Sequence, residues 1–122
     1  MNKKIEKFED IVAWQNARIL TQDIYALFRL NKDFGFKDQI QRAAVSVMSN
    51  IAEGYERQSN KEFAQFLYIA KGSCAEIRSL LCIGRDLKYI TEEQFIKLNS
   101  ASLVISKLIS GFITYIRKSV VS

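Results

Sequence analysis

Residues 36–62 read FKDQIQRAAVSVMSNIAEGYERQSNKE, and two helices with the break between them are legible in that one stretch. Apolar side chains recur at Phe36, Ile40, Ala43/Ala44, Val47, Ile51 and Tyr55, the three-to-four spacing of one helix face. The spacing predicts a helix over about 36–58. Ser59-Asn60-Lys61-Glu62 then forms a capping-box pattern, in which the Ser hydroxyl accepts the third residue's amide and Glu reaches back. A new helix over about 60–88 follows, with Phe63, Phe66/Leu67, Ala70, Cys74, Ile77 and Leu81 on its apolar face. Two long helices separated by so short a turn must lie antiparallel.

The same reasoning extends to both sides. Ile11, Trp14, Ala17, Leu20, Ile24, Leu27 and Phe28 place a first helix over about 9–30. Asn31-Lys32-Asp33-Phe34-Gly35 reads as the turn after it. Thr91-Glu92-Glu93-Gln94 repeats the capping box and opens a fourth helix over about 92–118. Each helix would be roughly 30 to 40 Å long. An all-α, up-down-up-down four-helix bundle is the expected fold, and no segment alternates with the period of a strand.

Composition narrows the function. The 122 residues suit one domain, large enough to bury about two-thirds of its unfolded surface. The chain has no His, which removes the usual neutral-pH base and the commonest metal ligand, and no Pro to break long helices. Cys74 and Cys82 on one helix would be about 12 Å apart, too far for a disulfide, and they make no zinc spacing. They suit a reducing compartment, and MNKKIEKFED lacks the apolar run of a signal peptide, so the expected location is the cytoplasm. The net charge of +5 is mildly favourable to acidic partners.

Three features are candidates for function. The fourth helix carries apolar side chains in nearly every direction, from Leu103, Val104 and Ile105 to Tyr115. Its central Lys107 and its hydroxyl residues disfavour a membrane span, so self-association is the better account. On the second helix Arg42, Ser46, Asn50, Glu53 and Arg57 form a polar line. It reads either as a solvated face with a Glu53–Arg57 pair or as a network at a helix contact. On the third helix Lys71, Arg78 and Arg85 recur every seven residues with no acidic neighbour one turn away, and Lys88 extends them. Such a stripe suits phosphate contacts, or its acids come from a neighbouring helix. Gly72, mid-helix with Ala75 and Ser79, reads as a site of close helix packing. No combination of these residues forms a nucleophile–base pair or metal set, so no enzyme, cofactor or metal is expected.

The runs Trp14-Gln15-Asn16-Ala17, Gln39 to Ser46, Ser49-Asn50-Ile51-Ala52-Glu53-Gly54 and Glu62 to Glu76 resemble one bacterial family over about residues 8–118. It comprises the four-helix bundle proteins encoded in intervening sequences of 23S ribosomal RNA genes. Arg42, Ser46, Asn50, Glu53, Gly54, Arg57, Gly72, Ser73 and Glu76 match its motif. The resemblance implies a bundle that assembles into a ring, typically a homopentamer, with ribosomal RNA or other nucleic acid as partner. A more distant likeness is to the basic pentameric accessory protein of diversity-generating retroelements. Similar sequences tend to have Phe-Pro where this chain has Phe28-Arg29, so the first helix is expected to run further. The expectation is therefore a non-enzymatic homo-oligomer without a membrane partner, touching nucleic acid through Lys71, Arg78, Arg85 and Lys88. The competing expectation is a protein-interaction adaptor that docks its partner on the fourth helix.

Overall fold

The computed structural model describes residues 4–121, with side chains described to Lys118. Four helices follow one another: α1 (Val12–Leu27), α2 (Phe34–Glu56), α3 (Asn60–Asp86) and α4 (Glu92–Val121). No strand occurs among the described residues. The α2–α3 and α3–α4 seams are the most extensive, while α1 lies mainly on α2 and less closely on α4. Ile24, Ile40, Val47, Ile51, Ala70, Cys74, Ile77, Leu81 and Ile109 are fully enclosed between the four helices. Each large aliphatic among them contributes about 1.5–3 kcal/mol by leaving water.

Both capping boxes mark true helix starts. The Ser59 hydroxyl accepts the Glu62 amide at 3.3 Å. The Thr91 hydroxyl accepts the Gln94 amide at 3.0 Å, and the Gln94 side chain accepts the Thr91 amide at 2.9 Å. Asp33 caps α2, accepting the Phe36 amide at 3.2 Å, so Phe34 and Gly35 belong to the helix rather than to the turn.

The first helix is shorter than its periodicity suggests. Asp10 accepts the amides of Glu6 and Lys7 at 3.0 and 3.2 Å and closes a separate 3₁₀ turn at Phe8–Asp10. Ile11 is extended, with its side chain buried, and α1 starts after it. At the other end Phe28 caps the helix, and the Lys37 ammonium donates to the Arg29 carbonyl at 2.8 Å. The absence of Phe-Pro therefore does not lengthen this helix, because buried Phe28, tertiary contacts and the Asp33 cap fix the turn.

That turn is tied to the α3–α4 turn. The Tyr89 hydroxyl donates to Asp33 at 2.7 Å, and Phe36 stands edge-on to both Phe28 and Tyr89. Gly84 lets α3 come close, since a Cβ there would be 3.1 Å from Phe36 Cζ. α3 ends in a Schellman arrangement: the Tyr89 amide bonds the Gly84 carbonyl at 2.8 Å, and Lys88 occupies the left-handed position with φ 64°.

α4 is long and apolar enough, by length and composition, to cross a membrane. One side of it, through Leu98, Ser102, Ile105, Ile109, Ile113 and Ile116, nevertheless fills the bundle interior. The opposite side leaves Ile96, Leu103, Val104, Leu108 and Tyr115 between 36% and 69% exposed. The all-round apolarity seen in the sequence thus divides into a core face and an open face.

Candidate nucleic-acid interface

Lys71, Arg78 and Arg85 lie two helical turns apart in succession on the side of α3 turned toward α4, about 10 Å between neighbours along the axis. Arg78 is half-buried and donates from Nη1 to the Ser102 hydroxyl at 3.3 Å. Ser102, wholly buried, donates in turn to the Cys74 carbonyl at 3.1 Å. A small residue on α4 therefore makes room for the guanidinium and holds its base. Arg85 reaches Glu92 at 3.4 Å and lies over the Phe95 ring, 3.9 Å from its centre.

Arg85 is thus not the unneutralised cation that spacing within α3 suggests. Its acid comes from the start of α4, which helix periodicity alone cannot display. Lys71 remains exposed on the same side. Lys88 lies past the helix end, in the α3–α4 turn, rather than continuing the row. A further cation joins instead: Arg117 of α4 donates to the Tyr68 hydroxyl at 2.8 Å, one turn from Lys71. Sequence reading missed it because its partner is 49 residues away. The groove between α3 and α4 therefore carries Arg117, Lys71, Arg78 and Arg85 in one line, with Glu92 the acid bound at one end.

The motif residues of α2 divide between a seam and the surface. Ser46 and Ser73 hydroxyls meet at 2.8 Å across the α2–α3 seam. Asn50 donates to the Ser46 carbonyl at 2.8 Å and to its hydroxyl at 3.0 Å. Gln39 donates to Glu76 at 3.3 Å on the rim of the same seam. Gly54 is buried where α3 crosses, and a Cβ there would sit 2.6 Å from Phe66 Cβ. Arg42 pairs with Asp38 at 2.7 Å on the open surface. Arg57 turns away from exposed Glu53, reaching Glu62 at 3.9 Å and covering the Phe66 ring at 4.9 Å.

Gly72 corrects another expectation. It faces outward, and a Cβ there would meet nothing within 4 Å, so it is not a site of close packing inside this bundle. Gly54 holds that role.

At the end opposite the Tyr89–Asp33 contact, the N-terminal segment, the α2–α3 turn and α4 enclose an open groove. Ile11, Phe63, Phe112 and Ile116 form its apolar floor, with Glu56 and Asn60 at its rim. The described residues include no cluster of three metal-ligating side chains. Burial pushes the Cys74 thiol up to about 11, against the opposing pull of the Arg78 charge and the Ser102 hydroxyl.

A family model described as 23S rRNA-intervening sequence protein matches residues 9–111. Among solved structures, one with a TM-score of 0.80 and 31% identity covers 84% of this chain and 96% of its own. It is a protein of unknown function from the S23 ribosomal protein family of Bacteroides thetaiotaomicron. No curated protein matches the chain.

Proposed function

The chain belongs to the 23S rRNA-intervening sequence protein family, and from that premise we propose that it is a cytoplasmic, non-enzymatic scaffold that self-associates and holds RNA. The phosphate backbone of the nucleic acid would lie in the α3–α4 groove. The observation that carries this reading is the row of Arg117, Lys71, Arg78 and Arg85 along one side of two adjacent helices. Phosphate contacts are charge attractions that place a backbone without reading its sequence. Arg78 and Arg85 are held by Ser102, Glu92 and Phe95, so ordering them on binding costs little further side-chain freedom. One copy offers few cations. A ring of copies, with a homopentamer as the family likeness implies, would multiply them and raise avidity.

Retention of a mixed-sequence single-stranded RNA tests the reading. With three phosphates neutralised per site by Arg117, Lys71 and Arg78, the cations not already paired with an acid, a threefold rise in salt should weaken binding roughly 10-fold. Lys71→Glu combined with Arg117→Glu, both on the surface, should abolish retention while far-UV circular dichroism stays unchanged. Retention that ignores salt, or survives the double reversal, refutes it.

The open apolar face of α4 favours a second reading, a protein-interaction adaptor without nucleic acid. An adaptor keeps its protein partner after the double reversal and loses it when Val104 and Leu108 become Asp.

A further inference from the structure

Because α1 packs on α2 and α4, and α3 packs on the same two helices, the α1–α2 seam opens on the side of the bundle away from the α3–α4 groove. The Thr21 hydroxyl donates to the Ala44 carbonyl at 3.2 Å across that seam. Arg18 and Tyr25 lie one turn to either side of Thr21, so both border the seam, and both are exposed. Arg29 follows at the end of the helix, where its carbonyl accepts the Lys37 ammonium of α2 at 2.8 Å. Phe34 begins α2 just beyond. Phe36 takes the core position two residues on, so helix geometry holds the Phe34 ring out in solvent, 69% exposed. Tyr25 is 44% exposed, and its hydroxyl has no partner among the described residues.

Open rings and unneutralised cations thus share one face. Lys37 Nζ stands 5.8 Å from the centre of the Phe34 ring, and the Arg18 guanidinium 5.8 Å from that of Trp14. The acids nearest in the chain are engaged or turned away. Asp33 is held by Tyr89 and Asp38 by Arg42. Asp23, two residues from both Thr21 and Tyr25, lies across α1 from them. Tyr25 comes four residues after Thr21 and Phe34 ten before Ala44, so the two rings are about 9 Å apart along the seam. A nucleic-acid strand advances about 3.4 Å per stacked base, so bases two or three positions apart fit the two rings. The phosphates between those bases would pass Arg29 and Lys37. Rings that accept the face of any base, interleaved with cations that accept the backbone, are how proteins hold single strands.

We infer that the outer α1–α2 face is a second RNA site, which takes unpaired bases by stacking them on Tyr25 and Phe34. The inference rests on RNA being the partner, as proposed above, but uses none of the residues of the α3–α4 groove. A duplex keeps its bases stacked inside, so it presents phosphates to the groove and nothing to the rings. The two faces look away from each other across two layers of helices, roughly 20 Å. A single strand reaches both by crossing the end of the bundle at the Tyr89–Asp33 contact, next to Phe34. Three cations and two rings hold a strand weakly by themselves, so this face adds to the retention that the groove provides and does not replace it.

Fluorescence anisotropy of the full chain with a labelled oligouridylate, and with an RNA duplex of equal length, tests the site. Tyr25→Leu combined with Phe34→Leu should weaken oligouridylate binding about tenfold or more and duplex binding by less than about twofold, since each stacked base contributes roughly fivefold or more. Tyr25→Phe combined with Phe34→Tyr keeps both rings and should bind each RNA as the wild type does. Far-UV circular dichroism should be unchanged in both variants, because the substituted side chains are exposed. Leucine keeps the apolar bulk that a lipid or protein surface would use. A leucine variant that binds oligouridylate as tightly as the wild type therefore overturns the stacking site and leaves the groove standing. An equal loss of oligouridylate and duplex, the result of disturbed assembly, overturns it as well. A wild-type chain that binds neither RNA at low salt overturns both readings.

Discussion

Gly54→Ala should destabilise the protein even though alanine is the better helix former. An added methyl would lie 2.6 Å from Phe66 Cβ, 2.9 Å from Phe63 Cδ1 and 3.3 Å from Phe66 Cγ. Carbon atoms pack comfortably at about 3.5–4.0 Å, so the shortfall at Phe66 Cβ is about 1 Å. That atom is fixed to the α3 backbone and no rotamer change moves it. The Phe63 ring cannot swing freely either, because it stands edge-on to Tyr55 and Phe112. The substitution therefore pushes α3 off α2 along the most extensive seam of the bundle. Overpacking of this kind costs about 1–3 kcal/mol, with a backbone contact at the upper end. Alanine returns up to about 1 kcal/mol through helix propensity. The expected net loss is about 1–2 kcal/mol. Gly35→Ala is the reference, since its Cβ would touch only Asp33 Oδ1, at 3.9 Å, and it should gain up to about 1 kcal/mol. Urea unfolding followed by far-UV circular dichroism reads both, with equal m-values. If Gly54→Ala unfolds at the same or higher urea than Gly35→Ala, the close approach of α3 is not what requires glycine.

Ser73→Val should cost about 1–3 kcal/mol, because it removes the Ser46 partner at a buried seam, whereas alanine at both positions should cost less than twice either single change; equal stability of Ser73→Val in urea would contradict the network. The Tyr89 hydroxyl, and after it the Phe36 amide, hold the Asp33 carboxyl below the usual carboxylate range. Its contribution is present above the unfolded-state value and lost as pH falls through the lowered folded one. Tyr89→Phe should therefore lower the urea midpoint at neutral pH and converge on wild type in strong acid; a constant difference across that range would rule the hydrogen bond out as its cause. Burial raises the Cys74 thiol to about 11 while Cys82 is exposed. A thiol reagent at mildly alkaline pH should accordingly label Cys82 alone until the chain unfolds, and equal labelling rates would refute the enclosure of Cys74.

The starts of α3 and α4 were the most legible part of the fold, because a capping box is a local pattern and Ser59 and Thr91 both use it; α1 and α2, which lack one, start at Val12 and Phe34 rather than where periodicity put them. Helix ends were less so. Phe28 terminates α1 through contacts with Phe36 across the turn, and Lys88 ends α3 in a left-handed conformation that no glycine announces. The site shows the same division. The seven-residue spacing located Lys71, Arg78 and Arg85 on one side of α3, since periodicity is a property of the helix itself. It could not supply Glu92 for Arg85, Glu62 for Arg57 or Tyr68 for Arg117, which are meetings between helices. Nor could it separate the two glycines. Gly54 and Gly72 both lie in the runs that carry the family resemblance, yet one is buried under α3 and the other faces outward.

The Tyr89–Asp33 bond joins two turns 56 residues apart, and it acts at one end of the bundle alone. Around it Phe28, Phe36 and Gly84 lock the termini of three helices into one cluster. The far end has an open groove where that end holds a knot, and α1, the shortest helix at 16 residues, borders it. The bundle should therefore breathe like a clothes-peg: amides near Val12 and Phe112 exchange with solvent hydrogen first, and those near Ile24, Ile40 and Leu81 last. Protection would follow distance from the knot more than depth in the core.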